Sequence, residues 1–369
     1  MKGKASTWFN GLFQIDWWLV GPMIFLIGLG LVIQYSIGLN QEVQDFSQFS
    51  KQIIFAGTGL LGFILLIFID HRIFRSHPFV YMISAFVILV LVLLFGTTIK
   101  GTTGWFLIGS FSFQPVELIK LLFLLFMATY LEKDPALISQ SKFFIISGFI
   151  TAVFVGLILL QPDTGSAFII FSIWFFSVIF LKAQKKWILL VVVAVIASFL
   201  LGWFFLFPDY QKARLSTFIN PEADPLGNGY NLNQAIVAVG SGSLWGSGLG
   251  LGTQSQLHFL PEVSSDFIFA VVAEELGFIG VLATLAAFMI ILFRLWRYLI
   301  NAKDGFSFVF TLGSFVYLFV QSIMVIGMNI GLLPITGLPL PLVSAGGSSM
   351  LITLAILGIN HNIGLSSEK

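Results

Sequence analysis

Cysteine is absent from this 369-residue sequence, and only 9% of its residues are charged. Without thiols there is no disulfide framework, no cysteine nucleophile and no cysteine-built metal site. A soluble domain carries about a quarter charged residues, so water is excluded as the solvent for most of this surface. Four scattered histidines argue against an imidazole metal cage. Acidic and basic residues nearly cancel, 17 against 18, for a formal charge of +1. With no basic excess, a nucleic-acid partner is not expected. No Walker pattern is present, so ATP binding is unsupported.

What is there is apolar: 57% of the residues are hydrophobic and 42 are Phe. Apolar runs recur near 18–38, 52–69, 79–95, 115–131, 143–160, 164–181, 187–207, 266–298, 306–330 and 342–363. A helix needs about 20 such residues to cross about 30 Å of hydrocarbon. The pattern predicts an all-α, polytopic membrane protein of about ten transmembrane helices, a single domain over 1–369. The first run follows Lys2 and Lys4 but lacks a small-residue cleavage site, so it reads as a retained helix. Ten crossings put both termini on one side. With that side inside, the outer segments hold only Lys51, Lys100, Lys212 and Arg214 of the 18 Lys and Arg, and Lys120 lies within a span. Basic loops resist translocation, so both termini are expected to be cytoplasmic.

The outer segment 208–265 is long and rich in Gly, Asn and Pro. Its apolar stretches, Ala235 to Val239 and Leu257 to Leu260, predict short helices lying on the membrane surface. Gly101 to Gln114 is apolar, too short to span and broken by glycines, so it re-enters the membrane or lies at its interface. No internal repeat is visible, which weakens an inverted-repeat transporter reading.

An ionisable group in hydrocarbon costs at least about 2.5–3.5 kcal/mol on insertion scales, so each needs a partner or a purpose. Glu117 and Lys120 stand three apart after Pro115, stacked on one helix face. They pair, either to satisfy each other or to bind substrate. Asp163, in the turn Gln161-Pro162-Asp163-Thr164-Gly165-Ser166, either caps the following helix or contributes to function. Asp266 opens the eighth span at the outer surface, flanked by apolar walls that reduce its solvation. Such a carboxylate suits a general base acting on a hydroxyl; capping by Ser264, Ser265 or Asp266 is the alternative. Glu274, eight residues on, would lie about 12 Å deeper in a straight helix. Lys212 and Arg214 are the cations of the long loop and suit phosphate oxygens. Pro334 to Ser349 is extended near the bilayer, tolerated only against protein or a wet cavity.

Several ordered motifs carry a resemblance that covers nearly the whole chain. They are Gly104-Trp105; Phe113-Gln114-Pro115 with Glu117 and Lys120; the Gln161 to Ser166 turn; Asn220 to Asn231; Gly252-Thr253-Gln254-Ser255-Gln256-Leu257; Asp266 to Gly277; and Pro339 to Ser349. On these residues the chain resembles the SEDS family (shape, elongation, division and sporulation), its elongation-type members most. The resemblance implies a peptidoglycan glycosyltransferase of the bacterial cytoplasmic membrane. It would polymerise lipid II into lipid-linked glycan at the outer face, beside a class B penicillin-binding protein, with membrane lipid around it. Asp266 matches the family's essential carboxylate. Glu117, Lys120 and Asp163 fall on other important positions, and Gln161, Ser348 and Ser349 fall within motifs expected to meet substrate. Arg214, Lys212, Lys120 or a divalent cation, magnesium or manganese, would receive the pyrophosphate charge. A groove open to lipid would admit the substrate. Three positions depart from the pattern: Ser264-Ser265 where the family usually has His-Thr, Val116 where it has Ser, and Ala345 where it has Tyr. A lipid II flippase and a non-catalytic scaffold are the competing readings.

Overall fold

The structure is a computed structural model, and it describes residues 15–39, 44–75, 77–99, 101–109, 111–132, 141–181, 185–206, 212, 216–220, 227–257, 259–260 and 262–367. Helices fall at all ten expected spans. They are α1 (Trp17–Leu39), α2 (Ser47–Phe68), α3 (Pro78–Phe95), α4 (Pro115–Glu132), α5 (Ser141–Leu159), α6 (Thr164–Phe180), α7 (Lys185–Leu201), α10 (Ile268–Ile300), α11 (Gly305–Asn329) and α12 (Gly347–Ser367). Among the described residues, seven helices are individually long and apolar enough to cross a membrane. Apolar stretches in α5 and α6 are shorter, and α4 carries Glu117, Lys120 and Glu132.

The long loop contributes α8 (Asn228–Ser241), which covers Ala235 to Val239 as expected, and the single turn α9 (Thr253–Gln256). Leu257, Phe259 and Leu260 are not helical; Leu260 is buried instead in a small core with Ala235, Ala238, Phe267 and Ala270. The 101–114 stretch belongs to a three-stranded antiparallel sheet, β1 (Thr97–Ile99), β2 (Thr102–Ile108) and β3 (Phe111–Phe113). Trp105 lies opposite Thr97, and Phe106 opposite Phe113. Threonines and aromatics favour a pleated surface, and Gly101 and Gly109 supply the positive φ values that the two turns need.

α11 and α12 form the interior: 67% and 78% of their apolar windows are buried, against 13% for α7. α11 touches α4, α6, α10 and α12, while α2 packs chiefly on α12 and α3 on α4. Large apolar side chains such as Leu61, Leu94 and Leu189 stay exposed. In a spanning bundle they meet lipid.

The described chain ends meet at one end of the bundle, where the Asp16 amide donates to His361 Nε2 at 3.0 Å. Asp16 also pairs through its carboxylate with Arg294 and the Tyr298 hydroxyl. Ser36, twenty residues further along α1, donates to Glu275 at 2.6 Å. At 1.5 Å per residue the two links are about 30 Å apart, the thickness of a hydrocarbon core.

Also at the termini end, Arg75 joins Glu132 of α4 (3.0 Å) to Asp304, the N-cap of α11 (2.6 Å). Burial works to raise the Asp304 pKa, but the Ser307 amide and the Arg75 guanidinium outweigh it and hold the carboxyl below its usual range. A depressed folded-state pKa means stability that is present at neutral pH and is lost as pH falls below about 4 through the folded value. Asp304→Asn should therefore lower the unfolding temperature of the solubilised protein at pH 7 more than at pH 3. An equal gap at both pH values would count against this linkage.

Candidate active site

Asp266 lies one turn before α10, in a loop set by Glu262. Glu262 has a left-handed backbone (φ 54), and its carbonyl accepts from the amides of Ser265, Asp266 and Phe267 at 3.2–3.4 Å. Non-glycine residues avoid that region unless their surroundings hold them there. The cap of α10 comes from another helix. Asn329 Oδ1 accepts from the Ala270 amide at 3.0 Å, and Asn329 Nδ2 donates to the Asp266 carbonyl at 3.0 Å. The N-cap residue is Phe267, with no side-chain cap of its own. The first turn of α10 is thus capped from Asn329 and not from its own N-cap residue.

That carboxylate is half-buried and lines a cavity of about 380 Å³ at the end of the bundle opposite the termini. α2 contributes Lys51 and Gln52, the sheet Trp105 and Phe111, and the start of α12 Ser348 and Ser349. The 337–346 loop closes the cavity: a β-carbon at Gly337 would lie 3.7 Å from Asp266 Oδ2. Hydrogen bonds fix the two loops to each other. Ala345 N donates to the Ser264 carbonyl (2.9 Å), Ser344 Oγ to the Ser265 carbonyl (2.6 Å) and Gln34 Nε2 to the Ser264 carbonyl (2.7 Å). Two departures from the family pattern therefore meet: Ser264 and Ala345 adjoin in one wall, and both side chains there are short.

The straight-helix expectation for Glu274 fails. The same turn of α1 that reaches Glu275 through Ser36 reaches the Ser264 carbonyl through Gln34. Moreover, α10 breaks at Gly277 (φ 66, ψ −163).

Glu117 and Lys120 do pair, at 2.8 Å, and both are completely buried. Lys120 also donates to Gln321 Oε1 (3.2 Å) and sits 5.5 Å from the Tyr317 ring centroid. Neither residue lines the cavity. The pair expected to meet substrate or pyrophosphate is thus sealed away from this cavity. The pair acts through Gln321, whose Nε2 donates to the carbonyl of the cavity residue Pro339 at 2.8 Å.

Asp163 is the N-cap of α6, accepting from Ser166 N at 2.9 Å, and it also accepts from Gln114 Nε2 at 3.3 Å. Gln114 lines the cavity and donates its amide to Ser348 Oγ at 2.9 Å. Asp163 is thus one residue removed from the cavity. Gln161 is buried beneath the sheet, its Oε1 3.5 Å from where a Gly104 β-carbon would lie. Neither Asp163 nor Gln161 lines the cavity itself. Lys212 is half-buried and does not line the cavity, and Arg214 lies outside the described residues.

Sequence reasoning passed over Lys51, Gln52, Trp105 and Glu262, which also line the cavity. Lys51 carried one signal, being among the few basic residues of the segments expected outside. Among the described residues no group of three or more His, Cys, Asp or Glu is placed to hold a metal ion. Two carboxylates, Asp266 and Glu262, line the cavity.

The model of the cell cycle protein family FTSW_RODA_SPOVE matches residues 17–369. The chain belongs to this family. Among FTSW_RODA_SPOVE relatives, the peptidoglycan glycosyltransferase MrdB of Escherichia coli (strain K12) is 36% identical over 347 residues, 93% of this chain and 92% of its own. A structure solved in a study of how a peptidoglycan synthase complex coordinates polymerization and crosslinking matches with a TM-score of 0.80 at 30% identity. It covers 96% of this chain and 98% of its own. The crystal structure of the rod shape determining protein RodA of Thermus thermophilus matches with a TM-score of 0.71 at 29% identity, with the same coverage. With its apolar helices and these relatives, the chain is a multi-pass membrane protein.

Proposed function

We propose that this protein is a peptidoglycan glycosyltransferase that polymerises lipid II at the outer face of the bacterial cytoplasmic membrane, with both termini in the cytoplasm. The observation that carries this reading is the Asp266 carboxylate, half-buried in a cavity that also holds a lysine and aromatic side chains. The names of the relatives support it, as does the charge bias of the connecting segments, which favours an outward-facing cavity.

In the reaction, Asp266 takes the proton of the acceptor GlcNAc 4-hydroxyl while that oxygen attacks the anomeric carbon of the donor MurNAc. The carbon–oxygen bond to the lipid pyrophosphate breaks, its electron pair leaves with the pyrophosphate, and the configuration inverts from α to β. Trp105 and Phe111 offer apolar faces to sugar rings. Among the described residues, Lys51 is the cation of the cavity wall, and it suits the departing pyrophosphate. A divalent cation, magnesium or manganese, would fit as a companion of that pyrophosphate, held by Asp266 or Glu262 together with phosphate oxygens. A second, apolar cavity of about 380 Å³ lies between α1 and α2, lined by Leu31, Tyr35 and Ile53 among others, on a neighbouring face of α2. It supports lateral access for a lipid chain. A class B penicillin-binding protein is the proposed partner.

Purified protein supplied with labelled lipid II, alone and with the partner, should make glycan polymer. Lipid II that crosses vesicles without being polymerised would favour the flippase instead. Lys51→Ala should lower kcat/KM about 10- to 100-fold, the range of a hydrogen bond to a charged group, and should do so less at high salt. An unchanged kcat/KM would remove Lys51 from the pyrophosphate site.

A further inference from the structure

Glu274 and Glu275 are carboxylates that this mechanism leaves unused, and both are 1% exposed. They lie just before the break in α10, where Gly277 adopts a backbone that suits glycine alone. A broken helix leaves backbone groups open, and residues 243–248 of the long loop take them. Ser247 and Gly248 donate to the carbonyls of Glu274 and Glu275 (2.9 and 3.0 Å), while Phe278 and Ile279 donate to those of Ser243 and Leu244 (2.9 and 3.3 Å). The approach is close: a β-carbon at Gly246 would lie 2.1 Å from the Glu275 carbonyl oxygen.

The two side chains reach the loop separately. Glu275 accepts from Ser36 Oγ (2.6 Å) and Gln256 Nε2 (2.9 Å). Glu274 accepts from the amides of Gln254 (2.7 Å) and Ser255 (3.1 Å), with Thr253 Oγ1 at 3.5 Å. A buried carboxylate bonded to amides and a hydroxyl is an expensive way to fill space. From Glu274 a short chain of contacts leads to Asp266. The Gln254 carbonyl accepts from Leu260 N at 3.1 Å. Leu260 shares a small core with Phe267, the residue after Asp266, and with Ala270 in the first turn of α10.

We propose that Glu274 is a positioning residue: it holds Thr253–Gln256 by its backbone amides, and through Leu260 and Phe267 it fixes the turn that aims Asp266 into the cavity. The inference rests on Asp266 being the base, so geometry and catalysis are read separately. Because the chain has no cysteine, Ser265→Cys gives a unique site in the cavity wall for a trifluoromethyl label. In full-length protein with its partner, Glu274→Gln keeps the volume but replaces one acceptor oxygen with a donor. It should shift or broaden the fluorine resonance, which Ser147→Ala in distant α5 should leave unmoved. Without the label, Glu274→Gln should lower kcat about 10- to 100-fold, the scale of an ångström-sized misplacement of a reacting group. KM should stay within about threefold, because substrate contacts are kept.

A native resonance, or a native kcat, in Glu274→Gln overturns the proposal. If the resonance moves but the unmutated protein makes no polymer, the positioning of the turn stands and the polymerase reading falls. Should Glu274→Gln fail to fold, Gly252→Ala decides by the same readouts, since its new methyl would lie 2.4 Å from Ser255 Oγ and 2.7 Å from Glu274 Oε2 and so wedge apart the carboxylate and the Thr253–Gln256 turn.

Discussion

Asp266→Asn is expected to abolish glycan polymerisation while leaving the protein folded. Loss of a positioned general base typically removes about 10²- to 10⁴-fold in rate, and here it should appear in kcat. The fold should tolerate the change, because α10 is capped by Asn329 and the Asp266 side chain is half-buried at a cavity wall. Asp266→Ala should be as inactive, since the amide of Asn cannot accept the proton either. The measurement is strand formation from labelled lipid II beside a thermal unfolding scan. If both variants polymerise at the native rate, Asp266 is not the base. If both are inactive because they no longer fold, the carboxylate is structural.

The second large effect is expected at the sealed ion pair. Glu117→Ala leaves the Lys120 ammonium in the core with Gln321 and the Tyr317 ring, but without its counter-charge. Stranding one partner of a buried pair costs about 3–5 kcal/mol, and Lys120→Ala should cost as much for the mirror reason. Replacing both by apolar residues of similar volume, Glu117→Leu with Lys120→Met, should cost less than either single change. The test is a double-mutant cycle on unfolding in detergent. Additive losses would show that the two charges do not depend on each other. Activity should fall in every variant that loses Lys120, because Gln321 then loses one of the partners that hold it against Pro339. That fall would come from a displaced cavity floor, since neither charge touches the cavity.

The membrane-spanning plan was legible in the sequence because hydrocarbon imposes a crude rule: about 20 apolar residues per crossing. All ten predicted runs are helices. The exception, the sheet at 97–113, was written in its threonines and aromatics, but a window tuned to long apolar runs averages over a two-residue alternation. Motif order identified the family for a similar reason, since a string of residue types survives without coordinates.

The site divided along another line. Sequence placed Asp266 at the loop end, but it could not show what caps α10, because the cap comes from Asn329, 63 residues away from Asp266. Spacing showed that Glu117 and Lys120 pair, yet only packing sealed them from the cavity. Lys51 and Trp105 enter the cavity from α2 and the sheet, elements whose approach no local pattern encodes. The chain's own periodicity and composition thus fixed what is local: which segments are apolar enough to leave water, and which carboxylates needed explaining. Tertiary structure decided which groups meet, because burial and hydrogen-bond partners are set by segments distant in sequence. The break at Gly277 shows the difference most directly: it opens the backbone of α10 beside Glu274, whose carboxylate meets the Gln254 amide 20 residues away.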